Sequence, residues 1–309
     1  MKTYPLPHTD LTVSSVILGL MRIAKLSDAE IVTLVGTARD AGVNVFDHAD
    51  IYGGERHKCE SRFGEAVSLS PAEREQVVIQ SKVGIRKGYF DFSAEHILAS
   101  VDESLSALRT DYLDLLLLHR PDTLVEPEEV AGAFDKLAAA GKVRHFGVSN
   151  HTPGQIELLK SALNQPLVVN QMQLSLTHAP LFAQGVAANM GRLEQSVSRD
   201  NGLLDYCRLH KITLQAWSPF QKGYTPGIFL GDRENYAALN DAIDALADKY
   251  GVTPSGIAVA WITRHPANIQ VVLGSTNPGR VRDSAAGAAV PLTREEWYRL
   301  FIAAGHTLP

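Results

Sequence analysis

"VNVFDHADIYGGER", residues 43–56, runs an apolar segment straight into two aspartates, a histidine and a tyrosine. Its first half reads as a buried strand, since Val and Phe favour extended backbone and the Gly pair beyond marks a turn. Ionisable groups at the end of a buried strand are costly unless each has a partner or a use. The rest of the chain decides which.

Seven further strand-like runs accompany it: "SSVILGL" (14–20), "VVIQSK" (77–82), "LDLLLLH" (113–119), "RHFGVSN" (144–150), "LVVNQMQ" (167–173), "ITLQAWS" (212–218) and "IQVVLGS" (269–275). Amphipathic helical patterns lie between them, among them 28–42, 94–109, 127–141 and 152–163. Two of these end in Gly, a C-cap signal, and others start near Ser, Thr or Asp, as N-caps do. Nearly continuous apolar strands imply burial on both faces, and strict alternation with helices implies parallel pairing. The expectation is an α/β fold, a (β/α)₈ TIM barrel, forming a single domain over residues 1–309. A doubly wound sheet would show a Gly-rich phosphate turn after its first strand. The turn here, "LGLMRIAKLS", is not one.

In such a barrel the C-terminal strand ends carry the chemistry, because the loops there converge on one open face. Those ends are consistently polar here: Asp47, Lys82, His119, Ser149 with Asn150, Gln171, Trp217 with Ser218, and Ser275. A free tyrosine holds its proton until a pH of about 10. A lysine near Tyr52 would stabilise its anion, an aspartate would keep that lysine charged despite burial, and a histidine would orient a carbonyl or relay the proton. Asp47, Tyr52, Lys82 and His119 therefore suit proton donation to a carbonyl oxygen that gains negative charge. The set has no nucleophile and no metal, so the electrons must come from a cofactor. In "GERHKCE" (54–60), His57, Cys59 and Glu60 have no second cluster to complete a tetrahedral site, and no metal is expected.

The 309 residues are 45% hydrophobic and 20% charged, which is ordinary for a globular protein. A net charge of -5 gives no basic field, so nucleic acid is not an expected partner. The two cysteines make no disulfide framework, the N-terminus lacks the apolar core of a signal peptide, and no apolar run is long enough for a bilayer. A cytoplasmic protein without membrane partners is expected. Its oligomeric state is left open.

"GVNVFDHADIYG", "VVIQSK", "DYLDLLLLHRPD", "GKVRHFGVSN", "VVNQMQLS" and "LQAWSP" resemble, in order, the signatures of the aldo-keto reductase superfamily, across roughly residues 14–287. The resemblance is above all to bacterial NADP-dependent oxidoreductases of broad or unassigned substrate. It implies a (β/α)₈ barrel that binds an extended nicotinamide cofactor and reduces a small aldehyde or ketone to an alcohol. By motif, the catalytic residues would be Asp47, Tyr52, Lys82 and His119, while His48 and Asp50 match no catalytic position. Ser149, Asn150 and Gln171 would hold the nicotinamide carboxamide. Trp217 would stack on the ring, with Ser218 beside it. Ser275, Thr276 and Arg280 would meet the 2'-phosphate, which a short helix opened by Pro278 also favours. The resemblance implies NADPH as the preferred cofactor, with NADH possible, because Gly274 stands where many members have a lysine. Two alternatives are a nicotinamide-binding regulatory subunit on the same barrel, without activity or weakly active, and a lyase using Lys82 as a Schiff base. The intact tetrad argues against the first, and Asp47, by keeping Lys82 protonated, against the second. Specificity is expected from the loops 20–27, 84–92, 120–126, 175–200 and 219–236.

Overall fold

Eight parallel strands close into a barrel in the computed structural model, each paired with its neighbours in sequence. The structure describes residues 1–223 and 225–309, so Tyr224, within the expected 219–236 loop, lies outside the described residues. The strands are β1 (Val16–Gly19), β2 (Val45–Asp47), β3 (Val78–Val83), β4 (Leu113–Leu118), β5 (Val143–Ser149), β6 (Leu167–Gln173), β7 (Thr213–Trp217) and β8 (Gln270–Leu273). All eight expected strands are present, and β8 pairs with β1 to close the ring.

The helices of the outer layer are α1 (Asp28–Asp40), α2 (Lys58–Val67), α3 (Ala94–Leu108), α4 (Pro127–Ala139), α5 (Pro153–Lys160), α6 (Leu203–Leu209), α7 (Pro254–Thr263) and α8 (Pro278–Ala286). Ser27 opens α1 with a capping box to Glu30, and Ile31, Leu34, Val35 and Ala38 form its buried stripe. The expected C-cap glycines turn the chain after α1 and α4, Gly42 at φ 85° and Gly141 at φ 69°. Helix α5 is shorter than the expected 152–163. Beyond it the Leu163 N–H still bonds the Leu159 carbonyl at 3.2 Å in a last turn, after which Asn164 and Gln165 donate to Asp135 at 3.0 and 2.6 Å.

Side chains alternate along the strands, as a pleat requires. Val16, Leu18, Phe46 and Phe146 face the helices, while Ile17, Val45, Leu115 and Leu117 fill the barrel. An unanticipated hairpin, Thr3–Pro5 with Thr12–Ser14, stoppers one end: its Leu6, Leu11 and Val13 join the interior cluster. The other end is left to the polar residues. No helix among the described residues is long and apolar enough to cross a membrane.

Candidate active site

Asp47 closes β2 and pairs in register with Gln80 of β3. Lys82 follows Gln80 by two residues and so projects from the same face into the barrel. It is 1% exposed and Asp47 2%. The Lys82 ammonium donates to both carboxylate oxygens of Asp47 at 2.6 and 2.7 Å, to the His48 carbonyl at 2.8 Å and to the Tyr52 hydroxyl at 3.0 Å. Burial alone would lower the Lys82 pKa, but Asp47 and then Tyr52 hold it above the ordinary lysine value. The ammonium therefore stays charged in a buried site. Tyr52 is shifted upward by burial, against the opposing pull of Lys82. Lys82 thus moderates the phenol without taking its proton at neutral pH.

His119 stands one residue past β4, half-buried, with its ring edge-on to Tyr52 at a centroid distance of 5.8 Å and 82°. Burial, then Lys82 and Arg120, hold it neutral well below the usual histidine range. Its Nδ1 is buried without a hydrogen-bond partner among the described residues. A neutral imidazole beside a protonated phenol can orient a carbonyl oxygen without adding charge of its own.

Beneath this group lies a layer of amides that sequence reasoning missed. Asp47 Oδ1 accepts from the side-chain amides of Gln80 and Gln171. Gln215 exchanges reciprocal 3.0 Å bonds with Gln80, accepts from Gln171 at 3.0 Å and donates to Gln270 at 3.1 Å. A carboxylate only accepts, so the Gln171 Nε2 must face inward, leaving its carbonyl oxygen as the end available to a ligand.

Ser149, Asn150, Gln171, Trp217 and Ser218 gather beside this group. Asn150 donates to the Ser149 hydroxyl at 2.8 Å and accepts from the Trp217 indole N–H at 3.1 Å, which pins the indole plane. Asn150 and Ser218 hold left-handed backbone, at φ 63° and 54°. For residues other than Gly this conformation is uncommon and is concentrated at functional sites. The Arg120 guanidinium, which sequence reasoning also missed, lies 5.8 Å from the Trp217 ring centroid. A cavity of about 220 Å³ opens between Gln173, Trp217 and Gly227.

Ser275, Thr276 and Arg280 lie apart from this group, past β8, and no hydrogen bond joins the two sets among the described residues. Asn277 caps α8 by accepting the Arg280 N–H at 3.0 Å, and Pro278 occupies the first turn, which has no acidic residue. Arg280 is exposed and has no carboxylate partner among the described residues. Hydroxyls, an unpaired guanidinium and a helix start form a donor set that fits a phosphate. The two sets together fit an extended nucleotide with one end in the barrel mouth.

Behind β2 and β3, Glu60 accepts from Ser81 and Ser104 and bonds His57, whose other nitrogen meets Glu103 at 2.9 Å. Asp50 is fully buried, Ser100 is the one donor to its carboxylate among the described residues, and burial pushes its carboxyl up to about 6. His48 is buried edge-on to Phe63, and burial lowers its pKa to about 4. Cys59 donates instead to the Met21 carbonyl. No group of three His, Cys, Asp or Glu placed to hold a metal ion occurs among the described residues. A larger cavity, about 800 Å³, lies on the flank against Phe182, Trp297 and Tyr298 and contains none of the site residues.

Residues 15–303 match the family described as "Aldo/keto reductase family". The oxidoreductase YcsN of Bacillus subtilis (strain 168) is 37% identical over 97% of both chains. A 6-dehydroglucose reductase of Agrobacterium fabrum (strain C58 / ATCC 33970) is 34% identical over 94% of both. Among solved structures, a thermostable aldo-keto reductase in complex with the inhibitor epalrestat superposes with a TM-score of 0.78 at 25% identity, covering 98% of this chain and 100% of that one.

Proposed function

The chain belongs to the aldo/keto reductase family of oxidoreductases, and we propose that it reduces an aldehyde or ketone to an alcohol with NADPH, the whole of residues 1–309 acting as one domain. The observation that carries this reading is the single ammonium of Lys82 held between the Asp47 carboxylate and the Tyr52 hydroxyl.

When bound, NADPH would supply the hydride. Tyr52 holds the proton that the carbonyl oxygen needs as it gains charge, and burial keeps that proton on the phenol until release is called for. Lys82 then sits 3.0 Å from the oxygen that becomes the phenolate, so the charge left behind develops beside a fixed cation. Asp47 keeps Lys82 charged and the Gln80 and Gln171 amides hold Asp47 in place. His119 orients the substrate oxygen from the other side of Tyr52. Ser149, Asn150 and the free carbonyl of Gln171 hold the carboxamide, Trp217 stacks on the nicotinamide with Ser218 beside it, and Ser275, Thr276 and Arg280 take the 2'-phosphate.

The test is loss of NADPH absorbance against a panel of aldehydes and ketones. Two relatives are named 6-dehydroglucose reductases, so oxidised sugars belong in the panel. Turnover of at least one carbonyl, abolished by Tyr52→Phe, is the expected result. NADPH oxidation that is indifferent to Tyr52→Phe would overturn the assignment.

A further inference from the structure

Gly274 follows β8 directly and leads into Ser275 and Thr276, where a side chain would face the proposed phosphate end of the cofactor. The space is not vacant. Arg22, 252 residues earlier in the chain, donates from Nη1 to the Gly274 carbonyl at 2.9 Å. A Cβ added to Gly274 would lie 2.5 Å from that same nitrogen, closer than real Cβ atoms come. In this conformation the Arg22 guanidinium occupies the volume in which a side chain at this position would begin, and as the far end of a flexible side chain it would have to swing aside for one.

We propose that Arg22 is the cation that meets the 2'-phosphate in place of a side chain at the glycine position, so that Arg22 and Gly274 form a matched pair. The proposal rests on the cofactor reading above. Arg22 is held at its root: Leu20 donates its N–H to the Asp47 carbonyl at 2.9 Å, and Ile23 is 1% exposed. The contact to Gly274 uses one of the five guanidinium N–H donors. Arg22 has no carboxylate partner among the described residues, and neither has Arg280 at the start of α8. Two unpaired guanidiniums beside a helix start without acidic residues are the complement of a dianion. On this account Gly274 does not cost the site a charge. It makes room for one delivered from the loop after β1.

The test measures dissociation constants for NADPH and NADH by tryptophan fluorescence, for the full chain and for Arg22→Met, Gly274→Lys and the double variant Arg22→Met/Gly274→Lys. Arg22→Met should weaken NADPH roughly tenfold to a hundredfold, as loss of a charged hydrogen bond does, and leave NADH within about threefold. The double variant should recover most of the lost NADPH affinity, because removing the guanidinium opens the space that the introduced lysine needs. Circular dichroism checks that each variant is folded. Unchanged NADPH affinity in Arg22→Met, an equal loss for both nucleotides, or no recovery in the double variant would overturn the pairing while leaving the cofactor reading intact. A wild-type protein that binds neither nucleotide would overturn the cofactor reading itself, and the pairing with it.

Discussion

Gln171 donates its side-chain amide to Asp47 at 3.0 Å, so the residue expected to hold a nicotinamide is also bonded to the carboxylate beneath the reacting groups. It faces both ways: its side-chain nitrogen serves the barrel interior, and its side-chain oxygen is the end that the proposed function gives to the cofactor. On the proposed function, cofactor position and the orientation of Asp47 would be linked through one side chain.

The keystone of that layer is Gln215, which bonds Gln80, Gln171 and Gln270. Gln215→Leu strands buried polar groups on three strands at about 1–3 kcal/mol each. Urea denaturation should show a loss of about 3 kcal/mol or more, and turnover should fall with it as Asp47 loses its fixed position. A variant as stable as wild type would show that the amides repack without consequence.

Asp50 gives a pH-dependent prediction. Its carboxyl is raised from 3.8 to about 6 in the folded protein, chiefly by burial. The folded state keeps this proton longer than the unfolded chain does, so the wild type loses stability as pH rises from about 4 to about 6. Asn carries no such penalty. Asp50→Asn should therefore gain stability that is small near pH 4 and reaches about 2–3 kcal/mol above pH 7. Thermal melts at the two ends of this range decide it, and a gain independent of pH would contradict the assignment.

The polar strand ends could be read in the sequence because strand runs are local and the barrel aligns them: Asp47 faces Gln80, and Gln173 faces Trp217, in the strand register. The tetrad was legible through the order of its motifs, and Lys82, Asp47 and Tyr52 do meet. The amide layer was not. Gln80, Gln215 and Gln270 each interrupt an apolar strand singly, and a lone Gln carries no signal that it will be buried beside others. The contact between Arg22 and Gly274 joins the first and last strand loops, which become neighbours only when β8 pairs with β1. The N-terminal hairpin went unread because its strands are three residues each, too short for a periodicity.

Trp217 should report cofactor binding. Trp261 and Trp297 stack on each other at 4.9 Å in the flank and are not among the site residues. NADPH should quench part of the tryptophan emission, and Trp217→Leu should remove most of that quench. If the quench persists in the variant, the nicotinamide does not lie against Trp217.

The proposed function assigns cofactor choice in part to Arg280 at the start of α8. Arg280→Met should weaken NADPH roughly tenfold to a hundredfold and NADH far less, since the contact it would lose is a charged hydrogen bond to the extra phosphate. Isothermal titration with both nucleotides separates this from a structural role, for which the two losses would be equal.

Whether Tyr52 delivers the proton is decided by single-turnover hydride transfer from bound NADPH to a reactive aldehyde. Tyr52→Phe keeps the ring that packs against His119 and removes only the hydroxyl held by Lys82. NADPH binding should survive in this variant while the transfer rate falls by about 10²–10⁴-fold. A Tyr52→Phe protein that binds NADPH and transfers hydride at the wild-type rate, with chemistry limiting, would contradict it.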